Sequence, residues 1–579
     1  MKLNLLTQVV FWLCMLPLAS PAQIAKKKMI QVGWDQPTTA YLREHHVRME
    51  TETPFFDGVL FGFGVRSPQG QWVDGHTVLT RVPFQREWLE AAVADIKACR
   101  FVKFTDNFVR IDTHPGDLDF ANDHDWATAA TNMGHAAWFT KSAGIKGIFF
   151  DSECYAANQW DYDPGTGRSF EQEAALTRQR GRQVMEAMAR ENPDLVIQHF
   201  WGPVTALSQG RAENPTEVLP ADGRALLIYF FAGLLDAIPP TMTMVEGNQH
   251  AYYLENEAAA LRYSHEVKSA SGPTIRLLPP EVRGKYLKNV QAGLGIYLDA
   301  YVFKSDFFWH IGDKDGLSKI ERLRDNVGWA LEAADEYIWI YGENGRWASR
   351  FSDQDYKTER GDKVGLEHSL NATKNALPWE ETLPGITEAL AMAHDPLGSA
   401  LREIETTKAE NLVVNPTFDP KAEGIVPSAP AQPDWQAGQI PGWTFWQSDN
   451  SKGSWGAVEG GVEIKGMREG CLIQITQFQV TPGERFVVTA RGRSTGGLPF
   501  VTVGWRGEAG QWIFQPRYTL SFSRPLPDGT KQAVGVIQVP DQARYLMLMP
   551  SASFQTPEQS AVFSNLGVYR WNDLMKIEP

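Results

Sequence analysis

Cysteine is scarce in this sequence, with four residues in a chain of 579. Cys14 lies among the first 22 residues, so that only Cys99, Cys154 and Cys471 remain in the rest of the chain. An odd number of widely spaced cysteines predicts no disulfide framework. The fold must therefore depend on buried apolar surface, for which the hydrophobic content of 43 % is ordinary and sufficient.

Clusters of positive charge are also nearly absent. The formal net charge is −14, and the longest basic run that we find is Lys26-Lys27-Lys28. Because proteins bind nucleic acid and anionic membrane surfaces mainly through positive charge, we expect no nucleic-acid partner and no membrane-surface partner.

Beyond the amino terminus, the sequence contains no apolar run long enough to span a membrane. The first residues, MKLNLLTQVVFWLCMLPLASPAQ, combine Lys2, an apolar run from Leu5 to about Leu18, and small residues before a cleavage position after Ala22. This pattern is typical of a secretory signal peptide over residues 1–22. A membrane anchor is the alternative, but it would need roughly 20 apolar residues. We expect a secreted or periplasmic protein.

Several motifs of catalysis and ligand binding are missing. No glycine-rich phosphate loop follows the first apolar run, and no G-x-S-x-G nucleophile turn occurs. The segments 44–46 (EHH) and 123–125 (DHD) match neither a zinc spacing nor an EF-hand spacing. The sequence therefore predicts no bound metal and no cofactor.

Short apolar runs alternate with helical stretches through the first part of the chain. Eight runs are found, at 29–35, 57–64, 100–106, 146–153, 195–202, 241–247, 294–302 and 336–343. Runs that are apolar on both faces are typical of parallel strands covered by helices. After the fourth run, Ser169 and Gln172 predict a helix start and Asn192-Pro193 its end. Residues 29–350 are thus predicted to be an α/β domain, a (β/α)8 TIM barrel, with an open doubly wound sheet as the alternative.

The composition changes twice after the eighth run. Residues 351–410 are polar and helical, and we interpret them as barrel closure and linker. From 411 to 575, short alternating runs such as RFVVTARGR and YLMLMP are separated by turns rich in Gly, Pro and Asp. This alternation predicts a carboxyl-terminal all-β sandwich.

Polar and aromatic residues follow the apolar runs at the positions where barrel strands would end. The carboxyl ends of barrel strands converge on one mouth, which makes these residues the candidate site. Aromatic faces cover pyranose rings, and carboxylates and amides bind hydroxyl groups, so the mixture suits a sugar. The candidate substrate-binding residues are Trp34, Asp35, Asn107, His199, Trp201, Asn248, His250, Asp299, Tyr301, Glu343 and Trp347.

Two carboxylates, Asp151 and Glu153, end the fourth run one residue apart. On extended backbone they would face the same way, so that each charge disfavours the other and raises one pKa. Glycosidic bond cleavage needs one protonated and one ionised carboxyl group. Glu153 is the candidate general acid, and Asp151 is its helper or the nucleophile. Glu246, at the end of the sixth run, is the candidate catalytic partner, and Glu343 is the next.

The segments GIFFDSE, TMTMVEGN and YIWIYGENGRW resemble strand ends of the TIM-barrel glycoside hydrolases. The segments NLVVNPTFD, PGWTFWQ and GCLIQITQFQVTPGERFVVTARGRS resemble a carbohydrate-binding jelly-roll module. The resemblance implies a secreted glycoside hydrolase whose partner is a polysaccharide or oligosaccharide. A non-hydrolytic carbohydrate-binding protein and a polysaccharide lyase are the alternatives. Candidates for a sugar platform in the second domain are Trp443, Trp446, Trp455, Trp505 and Trp512.

The resemblance implies two possible mechanisms. In families with D-x-E at the end of the fourth strand, the glutamate is the acid, sometimes with the substrate's own acetamido group as nucleophile, which makes Glu153 the acid and Asp151 its helper. In families that cleave α-linkages, an aspartate nucleophile on the fourth strand and an acid on the sixth correspond to Asp151 and Glu246. The Asn-Glu pair and strand-seven glutamate of many retaining β-glycosidases are not found, since that strand offers only Asp299.

Overall fold

The computed structural model describes residues 27–33, 35–154, 156–314, 316–347, 377–407, 409–425, 436–437, 440–475 and 478–577. The predicted signal peptide (1–22) and Trp34 lie outside these residues. The chain divides into two compact units between His394 and Asp395. This division falls inside the segment 351–410, which the sequence predicts to be closure and linker.

The strands of the first unit are β1 (Lys28–Gly33), β2 (Gly58–Phe61), β3 (Val65–Arg66), β4 (Trp72–Val73), β5 (Phe108–Asp112), β6 (Gly147–Asp151), β7 (Val196–His199), β8 (Thr243–Glu246), β9 (Val290–Ala292), β10 (Leu294–Tyr297), β11 (Tyr337–Gly342), β12 (Gly345–Arg346) and β13 (Leu377–Pro378). Nine of them form a parallel sheet in the order β10-β11-β1-β2-β5-β6-β7-β8-β9. Strands β3 and β4 form a separate antiparallel pair, and β12 and β13 a parallel pair.

The helices of the first unit are α1 (Thr39–Glu52), α2 (Glu90–Ala98), α3 (Asp123–Ala143), α4 (Phe170–Glu191), α5 (Leu207–Gly210), α6 (Pro215–Val218), α7 (Ala225–Ala237), α8 (Glu257–Lys268), α9 (Pro273–Leu277), α10 (Arg283–Asn289), α11 (Lys319–Ala333), α12 (Trp379–Thr382) and α13 (Ile386–His394). Within the described ranges, none of them combines the length and the apolar character that a bilayer crossing requires.

The two edge strands of the nine-stranded sheet follow each other in the chain. Only Gly293 separates β9 from β10, and β9 pairs with β8 while β10 pairs with β11. The sheet is therefore nearly closed. A Cβ atom on residue 293 would lie 2.8 Å from Val245 Cγ1, so the break between the strands requires glycine. The sequence predicts eight strands, and the structure has nine because residues 290–297 are interrupted here.

The third predicted strand, at 100–106, is wrong. This segment forms no strand, Val102 is 76 % exposed, and the strand is β5, whose five residues are all buried. The sequence analysis missed β5 because this buried strand contains two charged residues, Arg110 and Asp112, and so does not form an apolar run. The two side chains pair with each other.

The helix predicted after the fourth apolar run is confirmed as α4. Ser169 Oγ accepts a hydrogen bond from the Gln172 N–H, and Gln172 Oε1 accepts one from the Ser169 N–H at 2.8 Å. Asn192 follows the last turn, and Pro193 cannot continue the helix. The helix packs against α3 and α7.

The second unit contains β14 (Gln436–Ala437), β15 (Thr444–Gln447), β16 (Ser454–Val458), β17 (Gly461–Lys465), β18 (Glu469–Ile475), β19 (Arg485–Ser494), β20 (Leu498–Arg506), β21 (Trp512–Ser521), β22 (Arg524–Pro525), β23 (Lys531–Gln538), β24 (Tyr545–Ser553) and β25 (Ser560–Arg570), with helices α14 (Pro396–Thr406) and α15 (Trp571–Leu574). The strands form two antiparallel sheets, β14-β15-β18-β24-β20-β21 and β16-β17-β25-β19-β23-β22.

The two sheets share one apolar core and make the antiparallel β-sandwich that the alternation predicts. Trp443 and Trp505 are buried in this core, and each donates its indole N–H to a backbone carbonyl. Trp455 stacks on Phe445 at 4.8 Å between ring centres. Trp512 differs, because it is 40 % exposed. The two core tryptophans are thus used for packing.

Candidate functional site

Arg110, Asp112 and Asp151 form a buried charged cluster where β5 and β6 end. Asp112 and Asp151 are register partners in this parallel pair. Arg110 Nη2 donates to Asp151 Oδ2 at 2.9 Å, and Arg110 Nε donates to Asp112 Oδ1. The side chains are at most 9 % exposed. Arg110 therefore pairs with two buried carboxyl groups, and its single positive charge can neutralise only one negative charge.

The two aspartates of this cluster differ in protonation. Burial raises the pKa of Asp151 well above its usual value; Arg110 opposes this increase, and the charges of Asp112 and Glu153 add to it. Burial would also raise the pKa of Asp112, but Arg110, His76 and a hydrogen bond from Asp151 hold it below its usual value. His76 Nδ1 lies 3.2 Å from Asp112 Oδ2. Asp151 is therefore the carboxyl group that keeps a proton, and Asp112 is the ionised one.

Glu153 lies next to this cluster and lines a cavity of about 400 Å³. Its backbone N–H donates to Asp151 Oδ1 at 2.9 Å, and its side chain is partly exposed. The cavity is lined by Glu153, Cys154, Ala156, Ala157, Asn158, Trp160, Trp201 and Arg224. Of the two carboxyl groups that end the fourth apolar run, only Glu153 reaches the cavity.

Ser152, the small residue between the two carboxylates, holds two tryptophans of the cavity wall. Its hydroxyl donates to the Trp201 carbonyl oxygen at 2.7 Å, and Trp160 Nε1 donates to the Ser152 carbonyl oxygen at 2.7 Å. Both tryptophans are nearly fully buried. The segment 151–153 therefore carries the candidate acid, Glu153, and also fixes the two tryptophans of the cavity wall through Ser152.

A group of aromatic rings lies close to the same carboxylates. Tyr297 stacks between Tyr252 and Tyr341, with ring centres 4.9 Å and 5.6 Å away, and Trp309 meets Tyr297 edge-on at 5.4 Å. Burial raises the pKa of Tyr252 well above its usual value, and the charges of Glu153 and other nearby carboxylates add to the increase. The rings and the carboxylates thus belong to one end of the sheet.

Glu343 and Asp299 meet at the end of β11. Tyr341 Oη donates to Glu343 Oε1 at 2.5 Å. The Asp299 carboxylate accepts hydrogen bonds from the backbone N–H groups of Glu343 and Asn344 at 2.6 Å and 2.8 Å, and burial raises its pKa to about 6. Glu343 is thus a partly exposed carboxylate near the aromatic rings, whereas Asp299 holds the turn that carries it.

Glu246 projects from the opposite face of the sheet. His199 pairs with Phe150, the neighbour of Asp151, and Glu246 is the next residue after Val245, the register partner of Gln198. Since side chains alternate along a strand, His199 and Glu246 point away from Asp151. Glu246 Oε1 accepts a hydrogen bond from the Gly202 N–H at 2.7 Å.

The surroundings of His199 and Glu246 are helical residues. The His199 ring lies 5.3 Å from the ring of Phe231 on α7, and its Nε2 has no hydrogen-bond partner within the described ranges of the chain. Burial lowers the pKa of His199 to about 3, so the ring is neutral. The Glu246 charge raises the pKa of Tyr286 on α10, which burial already raises. The expectation that both residues reach the mouth is therefore wrong: they lie between the sheet and its helices.

The stability of the first unit should depend on pH through Glu246. Burial raises the pKa of this carboxyl group to about 7 from 4.5, against backbone hydrogen bonds from Gly202, Val204 and Asn248. The folded state thus keeps a proton that the unfolded chain releases above pH 4.5, so stability falls as pH rises towards 7. Between pH 4.5 and 8 we expect wild type to lose about 3 kcal/mol more than Glu246→Gln. Urea unfolding of both proteins at several pH values measures this, and parallel pH curves would contradict it.

The expectation that Asn107 lies at the mouth is wrong, because it depended on a third strand at 100–106. Asn107 precedes β5 and so lies at the amino end of the sheet. Its Oδ1 accepts from the Val59 N–H at 3.1 Å, and its Nδ2 donates to the Phe104 carbonyl at 2.7 Å. Both ends of the Asn107 amide thus form hydrogen bonds with backbone groups.

Asp35 and Trp347 are joined to each other away from the cavity. Asp35 Oδ2 accepts a hydrogen bond from the Trp347 N–H at 2.7 Å. The Trp347 ring is 7 % exposed and packs against Phe56 and Trp379, with ring centres 5.2 Å and 6.1 Å away. The expectation of an open sugar-stacking ring is wrong for Trp347.

Three further candidates hold turns or pack against helices. Tyr301 is buried, and Asn326 Nδ2 of α11 donates to its hydroxyl at 2.6 Å. Asn248 has a positive φ of 43° and accepts the His250 N–H at 3.2 Å. His250 Nε2 lies 3.4 Å from the Val204 carbonyl oxygen, on the side of the sheet where Glu246 lies. These contacts place all three in local structure, and none of them lines the cavity.

No protein-family model matches the chain, and no curated protein matches its sequence. Solved structures match it in part. A domain of tailspike protein 4 of bacteriophage CBA120 is 10 % identical over 28 % of this chain and 21 % of its own length, with a TM-score of 0.20. The carbohydrate-binding module CBM4 is 16 % identical over 27 % of this chain and 99 % of its own, with a TM-score of 0.20.

The CBM22-1 and GH10 modules of endo-1,4-β-D-xylanase 10B from Clostridium thermocellum, solved with xylohexaose, are 14 % identical over 22 % of this chain and 26 % of their own, with a TM-score of 0.18. These neighbours are thus carbohydrate-binding modules and domains associated with glycoside hydrolases. The chain spans about a fifth of the tailspike domain and about a quarter of the xylanase modules.

Sequence reasoning missed several residues of the site. Arg110 and Asp112 were hidden by the misplaced third strand, although FVRIDTH carries two charged residues at the alternate positions of a strand. Tyr252 lies in a short 3-10 helix (Gln249–Tyr253) and Arg224 directly before α7, so strand ends could not indicate them. Among the residues that the structure describes, no three His, Cys, Asp or Glu side chains are arranged to hold a metal ion.

Proposed function

We propose that this chain is a secreted or periplasmic glycoside hydrolase that cleaves a polysaccharide or complex glycan, with Glu153 as general acid. The observation that carries the proposal is the position of Glu153. It lies in a cavity walled by Trp160 and Trp201, directly beside Asp151, which keeps a proton. A carboxyl group beside aromatic walls suits a pyranose ring with a leaving oxygen to protonate.

The proton on Asp151 has a role in the acid step. The acid step requires both carboxyl groups to be protonated: Glu153 transfers its own proton to the leaving oxygen and becomes ionised, while Asp151 keeps the other proton. Because Asp151 is neutral, the new charge on Glu153 does not face a second negative charge two residues away. Arg110 and Asp112 maintain this state, since Asp112 takes the negative charge that Arg110 compensates. Asp151 thus acts as a positioning residue for Glu153.

Asp151 is poorly suited to be the nucleophile. Its side chain is fully buried, its Oδ1 accepts the Glu153 N–H, and its Oδ2 accepts from Arg110. We assign attack at the sugar carbon to the substrate's own acetamido group or to a water molecule. The partly exposed Glu343 is the second carboxylate of the site. The alternative pair of Asp151 and Glu246 finds no support, because these side chains project from opposite faces of the sheet.

The same proposal includes a closed barrel. We infer that β9 and β10 act as one strand interrupted at Gly293, so that eight strand positions close a (β/α)8 TIM barrel. Closure would bring the carboxyl ends of β6 and β11, with Glu153 and Glu343, to one mouth. The sandwich of the second unit would then be a carbohydrate-binding jelly-roll module.

The test is a screen of the full chain against a polysaccharide library. We expect wild type to release products with new reducing ends from at least one glycan, and Glu153→Gln, purified identically, to release none above background. Binding of glycans without any product would instead indicate a carbohydrate-binding protein. Products that absorb as unsaturated uronates would indicate a lyase. Either result would contradict the proposal.

A further inference from the structure

Among the described residues that line the cavity beside Glu153, Arg224 is the one cationic side chain. It precedes α7 and is exposed, and its Cζ lies 4.2 Å from the centre of the Trp201 ring. At this distance a guanidinium contacts the ring face through a cation–π interaction, which leaves its N–H groups available at the edge. The side chain thus offers planar donors to the cavity.

The backbone around Arg224 holds this position. Its N–H donates to Asp222 Oδ1 at 2.8 Å, and Asn158 Nδ2, which also lines the cavity, donates to the Gly223 carbonyl at 3.1 Å. The Leu226 N–H donates to the Trp160 carbonyl at 3.0 Å. The segment that carries Arg224 is therefore fastened to the loop that carries the tryptophan wall.

The next feature of Arg224 is the lack of a carboxylate partner in the described parts of the chain. Among the residues that the structure describes, no carboxylate forms an ion pair with its guanidinium. The Asp222 carboxylate accepts the Arg224 backbone N–H, and Asp151 is already paired with Arg110. Its charge nevertheless reaches the cavity wall: burial raises the pKa of Cys154 to about 11, and Arg224 opposes this increase. Among the described residues, the Arg224 guanidinium thus contacts the Trp201 ring but pairs with no carboxylate, in a cavity that also contains Glu153.

We propose that Arg224 binds an oxyanion substituent of the substrate, a carboxylate or a sulfate ester, so that the enzyme acts on an anionic glycan. This inference rests on the proposed function, because it assigns the substrate class of the same cavity. A planar guanidinium pairs with two oxygens of a carboxylate or sulfate, which is more specific than a point charge. The chain is acidic overall, with net charge −14, so an anionic glycan needs such a local partner.

The probes are carrageenan, chondroitin sulfate, alginate and polygalacturonate, each beside its desulfated or carboxyl-reduced form. Binding is measured by calorimetry with the full chain carrying Glu153→Gln, so that no substrate is consumed. We expect at least one anionic probe to bind with a Kd at least about tenfold lower than its neutralised form, since a bidentate charged pair is lost on neutralisation. Loss of affinity on desulfation identifies a sulfate ester as the bound group, and loss of affinity on carboxyl reduction identifies a uronate.

The matched variants are Arg224→Gln and Arg262→Gln in the same Glu153→Gln background. Arg262 is also an exposed arginine over an aromatic ring, Tyr263 at 5.0 Å, but it does not line the cavity. We expect Arg224→Gln to abolish the preference for the anionic form and Arg262→Gln to keep it. An equal loss of affinity for both forms in Arg224→Gln, or no binding of any anionic probe, overturns the inference.

The two proposals fail in different ways. Cleavage of neutral glycans alone by wild type, unchanged in Arg224→Gln, would overturn the anionic substrate and leave the hydrolase in place. Arg224-dependent binding of an anionic glycan without new reducing ends would support the anion site and overturn the hydrolase.

Discussion

Replacement of Glu153 by glutamine is expected to lower kcat/KM by about 10³-fold on any glycan that wild type cleaves, with KM changed little. Glutamine has nearly the same shape and can occupy the cavity, but it has no proton to give to the leaving oxygen. The loss therefore falls on the transition state rather than on substrate binding. Initial rates with the full chain over a range of substrate concentrations separate kcat from KM.

Glu246→Gln is the matched control for this variant. Glu246 also ends a strand, but it lies in the helix-facing layer with its carboxylate on backbone N–H groups. We expect its rates to stay within about threefold of wild type below the unfolding transition, although an amide opposite backbone donors costs about 1–3 kcal/mol of stability. If Glu246→Gln loses activity as Glu153→Gln does, the assignment of the acid to Glu153 is wrong.

Arg110→Met should have the largest effect on stability, a decrease of about 3–5 kcal/mol in the free energy of unfolding at pH 7. Arg110 is 9 % exposed and is the shared partner of Asp112 and Asp151. Methionine fills similar volume but leaves Asp112 ionised in a buried position. Urea unfolding of wild type and variant measures the difference, which should shrink at pH 5 because Asp112 can then take a proton.

The double variant Arg110→Met, Asp112→Asn keeps this prediction testable if the single variant does not fold. Removal of the unpaired Asp112 charge should recover at least half of the lost stability, because Asp151 already keeps a proton and adds no second charge. Arg178→Met is the surface control. Arg178 pairs with Asp236 at 2.7 Å but is 25 % exposed, so its loss should cost about 1 kcal/mol or less. Equal losses for Arg110 and Arg178 would contradict the importance of the buried cluster.

Local patterns in the sequence determined several parts of this protein. The start and end of α4 were predictable because the capping contacts of Ser169 and Gln172 involve residues three positions apart. The β-sandwich was predictable because short alternating runs and the turns between them can be recognised within single segments of the sequence. The position of Asp151 and Glu153 at the end of β6 was likewise legible, since an apolar run stops there.

Only the tertiary structure decided which strand ends share a site. Asp151 and Glu246 both end apolar strands, yet one faces the charged cluster and the other faces the helices. A strand that is buried on both faces does not reveal which alternate positions point inward. Arg110 and Asp112 were hidden for a related reason: each looks exposed by residue type, and both are buried only because Arg110 pairs with Asp112 on its own strand and with Asp151 on β6. Arg224, which precedes α7, reaches the cavity only because the chain folds it against Trp201.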